Sequence, residues 1–461
     1  MRYLLSEIAT ILEVDFHGTD CEISSIVTDS RSVVNGSLFV ALKGEKFDGH
    51  DFVDEALRNG AVASLTFKPV AGSHIRVTDT LNALGEIAKA YRRTLSAKVI
   101  AITGSSGKTT TKDLMACALR PFGTVVKSEK SLNNEIGVPL TIFQADASTD
   151  FLILEMGMRG IGQIDYLTQI ATPNVAVLLN AGSAHLSELG SRENILKAKS
   201  EIFNHSTQPS VAVTSADDER LVALTQHLSS QVVLFGQSEI ADIRIRNLQI
   251  DQQGFPNAEI LIGPTSFNLR LEMLGEHQIL NSAAVIGVIH ACALDIGTAT
   301  SALASCQETS EWRMEIVELA NDITIINDAY NANPESVKAG LKALKDFAKT
   351  KRTWAVLGEM RELGASALEE HDAIGRLCVR LDISKTLAVG EAAKSIQLGA
   401  SLEGSWGQEA LYVEDVDEAI TQLIQEVQPG DVIYIKASRA VGLERVANAL
   451  QEHFGRENKP S

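Results

Sequence analysis

Between Lys98 and Asp113 the chain reads Lys-Val-Ile-Ala-Ile-Thr-Gly-Ser-Ser-Gly-Lys-Thr-Thr-Thr-Lys-Asp. A glycine turn that runs into Gly-Lys-Thr and opens a helix can cradle a polyphosphate. The backbone N–H groups of Gly104, Ser105, Ser106 and Gly107, with the helix N-terminus behind them, replace the anion's water shell. Lys108 reaches the outer phosphates, the Thr109 hydroxyl holds a magnesium ion, and Thr110 completes the first turn. The pattern departs from the usual phosphate loop at its first glycine, which falls on Ile102. Gly-Ser-Ser-Gly alone is also a plain turn; Gly-Lys-Thr-Thr and the helix after it make this a loop for ATP or GTP. Two more apolar runs end in polar groups: Glu155 follows residues 151–154, and Asn-Ala-Gly-Ser-Ala-His, ending in His185, follows residues 175–179. A carboxylate placed there is costly to desolvate unless paired or bound to a cation. Magnesium beside ATP takes one or two protein carboxylates, so Glu155 reads as a metal ligand, with a strand-end ion pair as the alternative. A lone histidine is as readily structural, and position alone leaves His185 open.

These groups meet only if a sheet brings its strand ends to one edge. Strand runs alternate with helical patterns through the middle of the chain, which predicts a mostly parallel sheet with helices on both faces. Ligands collect at the carboxyl ends of such strands, so Lys108, Thr109, Glu155 and His185 converge on one crevice. Leu114, Met115 and Ala118 form the inner face of the loop helix. Residues 133–139, Asn-Asn-Glu-Ile-Gly-Val-Pro, are a polar turn into a helix start and equally a capped loop. Residues 191–203 predict a helix capped by Ser191, with Asn194 at the third position and Lys197 and Lys199 on a solvated face by default. Residues 1–80 carry short strands broken by glycine turns; Thr28-Asp29-Ser30-Arg31 and Asp48-Gly49-His50-Asp51 read as solvated turns. From about Glu311, strand runs at 323–326, 354–357 and 432–435 each end in polar residues. A second α/β domain therefore faces the first across a cleft. The expected fold is α/β in three domains: residues 1–80 small and mixed, 81–311 a phosphate-loop domain on a mostly parallel sheet, and 312–461 Rossmann-like.

Composition limits the function classes. With 461 residues, 45% hydrophobic and 22% charged, the chain has a soluble globular profile. Its net charge of −18 argues against a general nucleic-acid or anionic-membrane surface, which needs Lys and Arg to neutralise phosphates. Cys21, Cys117, Cys292, Cys306 and Cys378 are scattered, without metal-ligand spacing, and read as reduced residues of a cytosolic protein. The amino terminus is charged too early for a secretory signal and reads as an amphipathic helix. No apolar run reaches the ~20 residues that span a bilayer.

The marks now in place resemble the ATP-dependent Mur ligase family, over essentially the whole chain. They are the loop from Thr103 to Lys112, Leu-Asn-Asn-Glu-Ile-Gly-Val-Pro from Leu132, Glu155-Met-Gly, Ala184-His185-Leu186, Ala198-Lys199-Ser-Glu-Ile, and Asn327-Asp-Ala-Tyr-Asn-Ala-Asn-Pro. Within the family the pattern is similar to the branch that joins D-alanyl-D-alanine to UDP-N-acetylmuramoyl-tripeptide. Asp29-Ser-Arg and the segment from Phe39 to His50 are shared with the branch that adds the third residue; the absence of Asp-Asn-Pro-Arg in the third domain and the presence of Gly358-Glu-Met-Arg-Glu-Leu-Gly favour the former. The resemblance implies ATP, magnesium, an acyl-phosphate intermediate, and a cytoplasmic enzyme that works as a monomer. It implies that Thr109 and Glu155 hold one ion, and that His185 and a carbamylated Lys199 hold the other. Asn281, Arg313, Asp328, Tyr330 and Asn331 would close over the nucleotide; Ser30, Arg31, Asn133 and Asn134 would hold the UDP-sugar substrate. Ser187-Glu188-Leu189-Gly190 after His185-Leu186 departs from the Glu-Gly-Phe-Gly of many relatives. A related ligase with another acceptor, such as the third-residue branch or a folylpolyglutamate synthetase, and an acceptor-free phosphate-loop ATPase stay open beside this reading.

Overall fold

The computed structural model describes residues 1–129, 131–182, 186–203, 209–307, 310–404 and 407–455. Its central sheet has nine strands among the described residues. The loop strand Lys98–Thr103 lies in the interior, flanked in parallel by Phe151–Glu155 and Val175–Leu178. Pairing stays parallel out to Ile243–Ile250, and two antiparallel strands, Pro256–Ile262 and Thr265–Arg270, finish that edge. A strand covered on both faces needs apolar side chains on both, which is why these strands read as unbroken apolar runs. Ile100 and Ile102 pack with Leu114, Met115 and Ala118 on one face, while Val99, Ala101, Leu152 and Leu154 pack on the other.

The C-terminal sheet runs Glu315–Glu318, Thr324–Asn327, Val432–Lys436, Thr353–Leu357, Lys385–Val389, Ala410–Val413, antiparallel only at its first pair. The N-terminal sheet has five strands, centred on Ala61–Thr66, and is parallel except for Phe16–His17 against His74–Arg76. The amphipathic N-terminal helix is observed as Leu5–Ile11, with Leu5, Ile8 and Ala9 buried.

One helix serves two cores. Thr80–Arg92 begins on Asp79, whose carboxylate accepts from the Leu81 and Asn82 amides. Its Ala83, Leu84 and Ile87 join the N-terminal core, and Ala88 and Tyr91, further along, join the central one. The chain thus enters the central domain along a rigid rod whose start borders the cleft described below.

The Asp48–Asp51 cluster, expected as a solvated turn, is a closed knot. The His50 ring is buried, with Nδ1 2.6 Å from Asp48 Oδ1 and Nε2 accepting the Phe67 amide at 3.0 Å. Lys68 bonds the other Asp48 oxygen at 2.6 Å and, with the His50 amide, holds that carboxyl well below the usual range. Among the described residues no helix is long and apolar enough to cross a membrane.

Candidate active site

The loop strand ends at Thr103, and the helix Lys108–Leu119 starts from Gly107, which has φ +80°. A Cβ there would also lie 2.6 Å from Asn281 Oδ1, so both conformation and space require glycine. Gly107 has no side chain to cap the helix. The first-turn amides, at Lys108, Thr109 and Thr110, therefore stand as donors for an anion. The Ser105 and Ser106 amides are used differently from the expectation: both donate to Asn180 Oδ1, at 2.9 and 3.0 Å, and the Asn180 amide returns a bond to the Ser106 carbonyl at 3.1 Å. Lys108 Nζ donates to the Gly104 carbonyl at 2.7 Å. Its burial lowers its pKa, with the Glu155 carboxylate opposing that shift.

Glu155 is 1% exposed at the end of its strand. One of its oxygens accepts from Thr109 Oγ1 at 2.9 Å and the other from Asn133 Nδ2 at 2.7 Å. A buried carboxylate held by two neutral donors, at the foot of an anion-binding helix, presents oxygens suited to a hard cation. Asn134 acts as the capped-loop reading had it, its Oδ1 accepting the Gly137 amide at 2.9 Å. Both asparagines border the cleft.

Lys199 is not on a solvated face. In the helix Arg192–Ser200, Ile195, Ala198 and Lys199 point to the core, whereas Lys197 is exposed. The spacing i, i+3, i+4 from Ile195 is the signal that places Lys199 inward. It is 1% exposed, and among the described residues its Nζ has no hydrogen-bond or ion-pair partner. Burial, aided by the nearby Lys108 charge, pushes its pKa well below the ordinary lysine value. His185, the other expected member of this group, lies outside the described residues.

A cleft of about 1130 Å³ joins the central and C-terminal domains. Its walls include the loop, Asn133, Asn134, Glu155 and Asn281 on one side, and Arg313, Asp328, Tyr330 and Asn331 on the other. Arg313 stacks on the Tyr330 ring, 4.3 Å from its centroid. Asp328 is committed inside its own domain: Lys436 Nζ donates to it at 2.5 Å and Tyr434 Oη at 3.1 Å. Ser30 and Arg31 do not border this cleft. Ser30 Oγ donates to Glu55 at 3.2 Å, and the exposed Arg31 forks Asp29 at 2.9 and 2.7 Å, holding that carboxyl at about 2.

Among the cleft residues absent from the sequence reading of the site are Asn180, His277, Asn333, Glu362 and Lys436. Asn180, Asn333, Glu362 and Lys436 had a signal, each lying among the polar residues that follow an apolar strand; His277 had none.

Comparison with known proteins matches the chain to three family profiles: "Mur ligase family, catalytic domain" over residues 22–92, "Mur ligase middle domain" over 102–289, and "Mur ligase, glutamate ligase domain" over 312–439. The UDP-N-acetylmuramoyl-tripeptide--D-alanyl-D-alanine ligase of Mycobacterium tuberculosis (strain H37Rv) is 39% identical, over 92% of this chain and 91% of that protein. The crystal structure of MurF from Acinetobacter baumannii superposes with a TM-score of 0.89 at 30% identity, covering 98% of this chain and 99% of that one. MurF ligase from Thermotoga maritima in complex with ADP has a TM-score of 0.83 at 33% identity, covering 94% and 98%. Matches to all three family profiles in order, and relatives of this identity along nearly the whole length, place the chain in the Mur ligase family.

Proposed function

We propose that this chain joins D-alanyl-D-alanine to UDP-N-acetylmuramoyl-tripeptide at the expense of ATP, the final cytoplasmic step in building the peptidoglycan precursor. The observation that carries the reading is the cleft, in which an anion-binding helix start and a buried carboxylate face an arginine and a tyrosine of another domain. A carboxylate is a poor electrophile until its oxygen leaves as something better. The tripeptide carboxylate oxygen attacks the γ-phosphorus of ATP and the bond to ADP breaks, which leaves an acyl phosphate. The dipeptide amine then attacks the acyl carbon, phosphate leaves with the bonding pair, and the amine proton is lost. Lys108 and the first-turn amides lower the repulsion of this encounter by meeting phosphate charge with fixed donors.

Thr109 and Glu155 are oxygen donors that fit magnesium, and they would hold one ion. Bound magnesium would neutralise phosphate charge. Lys199 is buried, shifted toward its neutral amine and unpartnered among the described residues, so it suits addition of carbon dioxide to give a carbamate, which with His185 would hold a second ion. Asn281, Arg313, Asp328, Tyr330 and Asn331 would border the nucleotide, and Arg313 stacked on Tyr330 offers both a charge and a flat face. The N-terminal domain, with Ser30 and Arg31, would carry the UDP end, and Asn133 and Asn134 the sugar or diphosphate. The division at residues 1–80, 81–311 and 312–461 follows these three roles. The family resemblance implies a monomer, and the absence of a disulfide among the described residues supports a reducing compartment.

The test is ADP formation measured with the UDP-linked tripeptide and a panel of acceptors. D-alanyl-D-alanine should drive turnover with one peptide product per ADP. Single amino acids, glutamate included, should not. Turnover without any acceptor would make the chain an ATPase and end the ligase reading.

A further inference from the structure

One peptide group of the phosphate loop is held from both sides by asparagines of different domains. The N–H of the Ser105–Ser106 peptide donates to Asn180 Oδ1 at 3.0 Å, and its carbonyl accepts from Asn333 Nδ2 at 3.3 Å across 228 residues of sequence. Asn180 belongs to the same domain as the loop and grips it further through the Ser105 amide and the Ser106 carbonyl. The Ser105 hydroxyl also accepts the Gly182 amide at 2.9 Å. These bonds all lie within the central domain. Asn333 belongs to the C-terminal domain, and its bond to Ser105 exists only while that domain is docked.

The asparagine is used at both ends. Its Oδ1 caps the helix Pro334–Ala348 by accepting the Ser336 amide at 2.8 Å, which fixes the side chain and aims Nδ2 at the loop. It is 8% exposed. The contact around it is close: a Cβ on Gly182 would lie 3.0 Å from the Glu335 carboxylate, so the start of this helix sits directly on the turn that follows Asn180.

We propose that Asn333 is a positioning residue that makes the set of the phosphate loop depend on docking of the C-terminal domain. The proposal rests on the ligase reading, because a loop set only on closure ties phosphoryl transfer to a filled cleft. Separation of the domains strips the Ser105 carbonyl of its donor, and the peptide two residues before Gly107 is then held from one side only. Closure restores the second hold and with it the orientation of the amides that follow.

Asn333→Asp and Asn333→Ser keep an oxygen at the helix cap and lose the donor. Both should lower kcat about tenfold, the worth of one well-placed hydrogen bond. ADP affinity without peptide substrates and the unfolding midpoint should stay near wild type, and amide exchange across residues 103–107 should quicken in the ADP complex. Asn333→Ala, which loses the cap as well, should also unfold more readily. The proposal is overturned if the Asp and Ser variants turn over within twofold of wild type, or if their loss of kcat is matched by a loss of stability. Should the wild type fail to couple the dipeptide, the ligase reading falls alone, and the exchange rates still decide whether Asn333 holds the loop.

Discussion

The central and C-terminal domains each bury a lysine, and the two are opposites. Lys199 is 1% exposed and Lys436 3% exposed, and burial lowers the pKa of both. Lys436 has Asp328 at 2.5 Å, and that charge pulls its pKa back up. Lys199 has no such partner among the described residues, and the charge it feels is that of Lys108, which pushes the same way as burial. Taking an ammonium out of water is costly unless a carboxylate answers it, so the two sites settle differently. The C-terminal domain keeps an ion pair that holds two strand ends together. The central domain keeps a lysine whose pKa is pushed down from both sides, by burial and by Lys108. The same residue at nearly the same depth is paired in one domain and faces a like charge in the other, and the neighbour decides.

The largest effect tests the phosphate side of the central site. Lys108→Ala should lower kcat by about 10³-fold or more with the fold intact, as removal of a charge aimed at the transferring phosphoryl group does. Circular dichroism beside the ADP assay checks it, and near-normal turnover would remove the loop from the chemistry. Next comes Lys199. Lys199→Ala should lose about 10²- to 10³-fold in kcat and recover part of it with added short carboxylic acids, whereas Lys199→Met should lose activity without losing stability. Intact mass of the active wild type should show added carbon dioxide that acid removes.

Lys436→Met is the counterpart that sharpens the contrast. It leaves Asp328 without its cation, 9% exposed, and should cost about 3 kcal/mol in denaturant unfolding. Adding Asp328→Asn should return most of that stability. Equal stability losses for Lys199→Met and Lys436→Met would erase the distinction between the two lysines.

The smallest effect concerns His277, which lies at the cleft near the Asp328 and Lys436 pair. Burial pushes its imidazole down to about 4, with Lys436 adding to the shift and Asp328 opposing it. The unfolded chain binds the proton at about 6.5, so stability from the neutral ring is complete above that pH and is lost as pH falls from there toward 4. His277→Gln should flatten the unfolding midpoint against pH across that window and change little at pH 8.

Local patterns carried much of this protein. The apolar runs, the glycine turn and the Ser191 cap, whose hydroxyl accepts the Asn194 amide at 3.2 Å, are read within a few residues of themselves. Glu155 was legible because desolvation makes a carboxylate after four apolar residues conspicuous. Lys199 was read onto the wrong face of its helix, since its charge outweighed a spacing that pointed inward. Asn333 was read only as one of the polar residues after a strand, and the Asp48 cluster as a solvated turn.

What the chain determined alone was therefore chemistry that neighbours in sequence complete: a loop that turns its amides toward an anion, and strands apolar enough to be covered on both faces. Folding decided which polar groups meet. Asn180 reaches Ser106 over 74 residues, Lys436 reaches Asp328 over 108, and Asn333 reaches Ser105 over 228. A hydrogen bond or ion pair is felt over a few ångströms, and the chain holds no local record of partners that only the tertiary fold brings within that range.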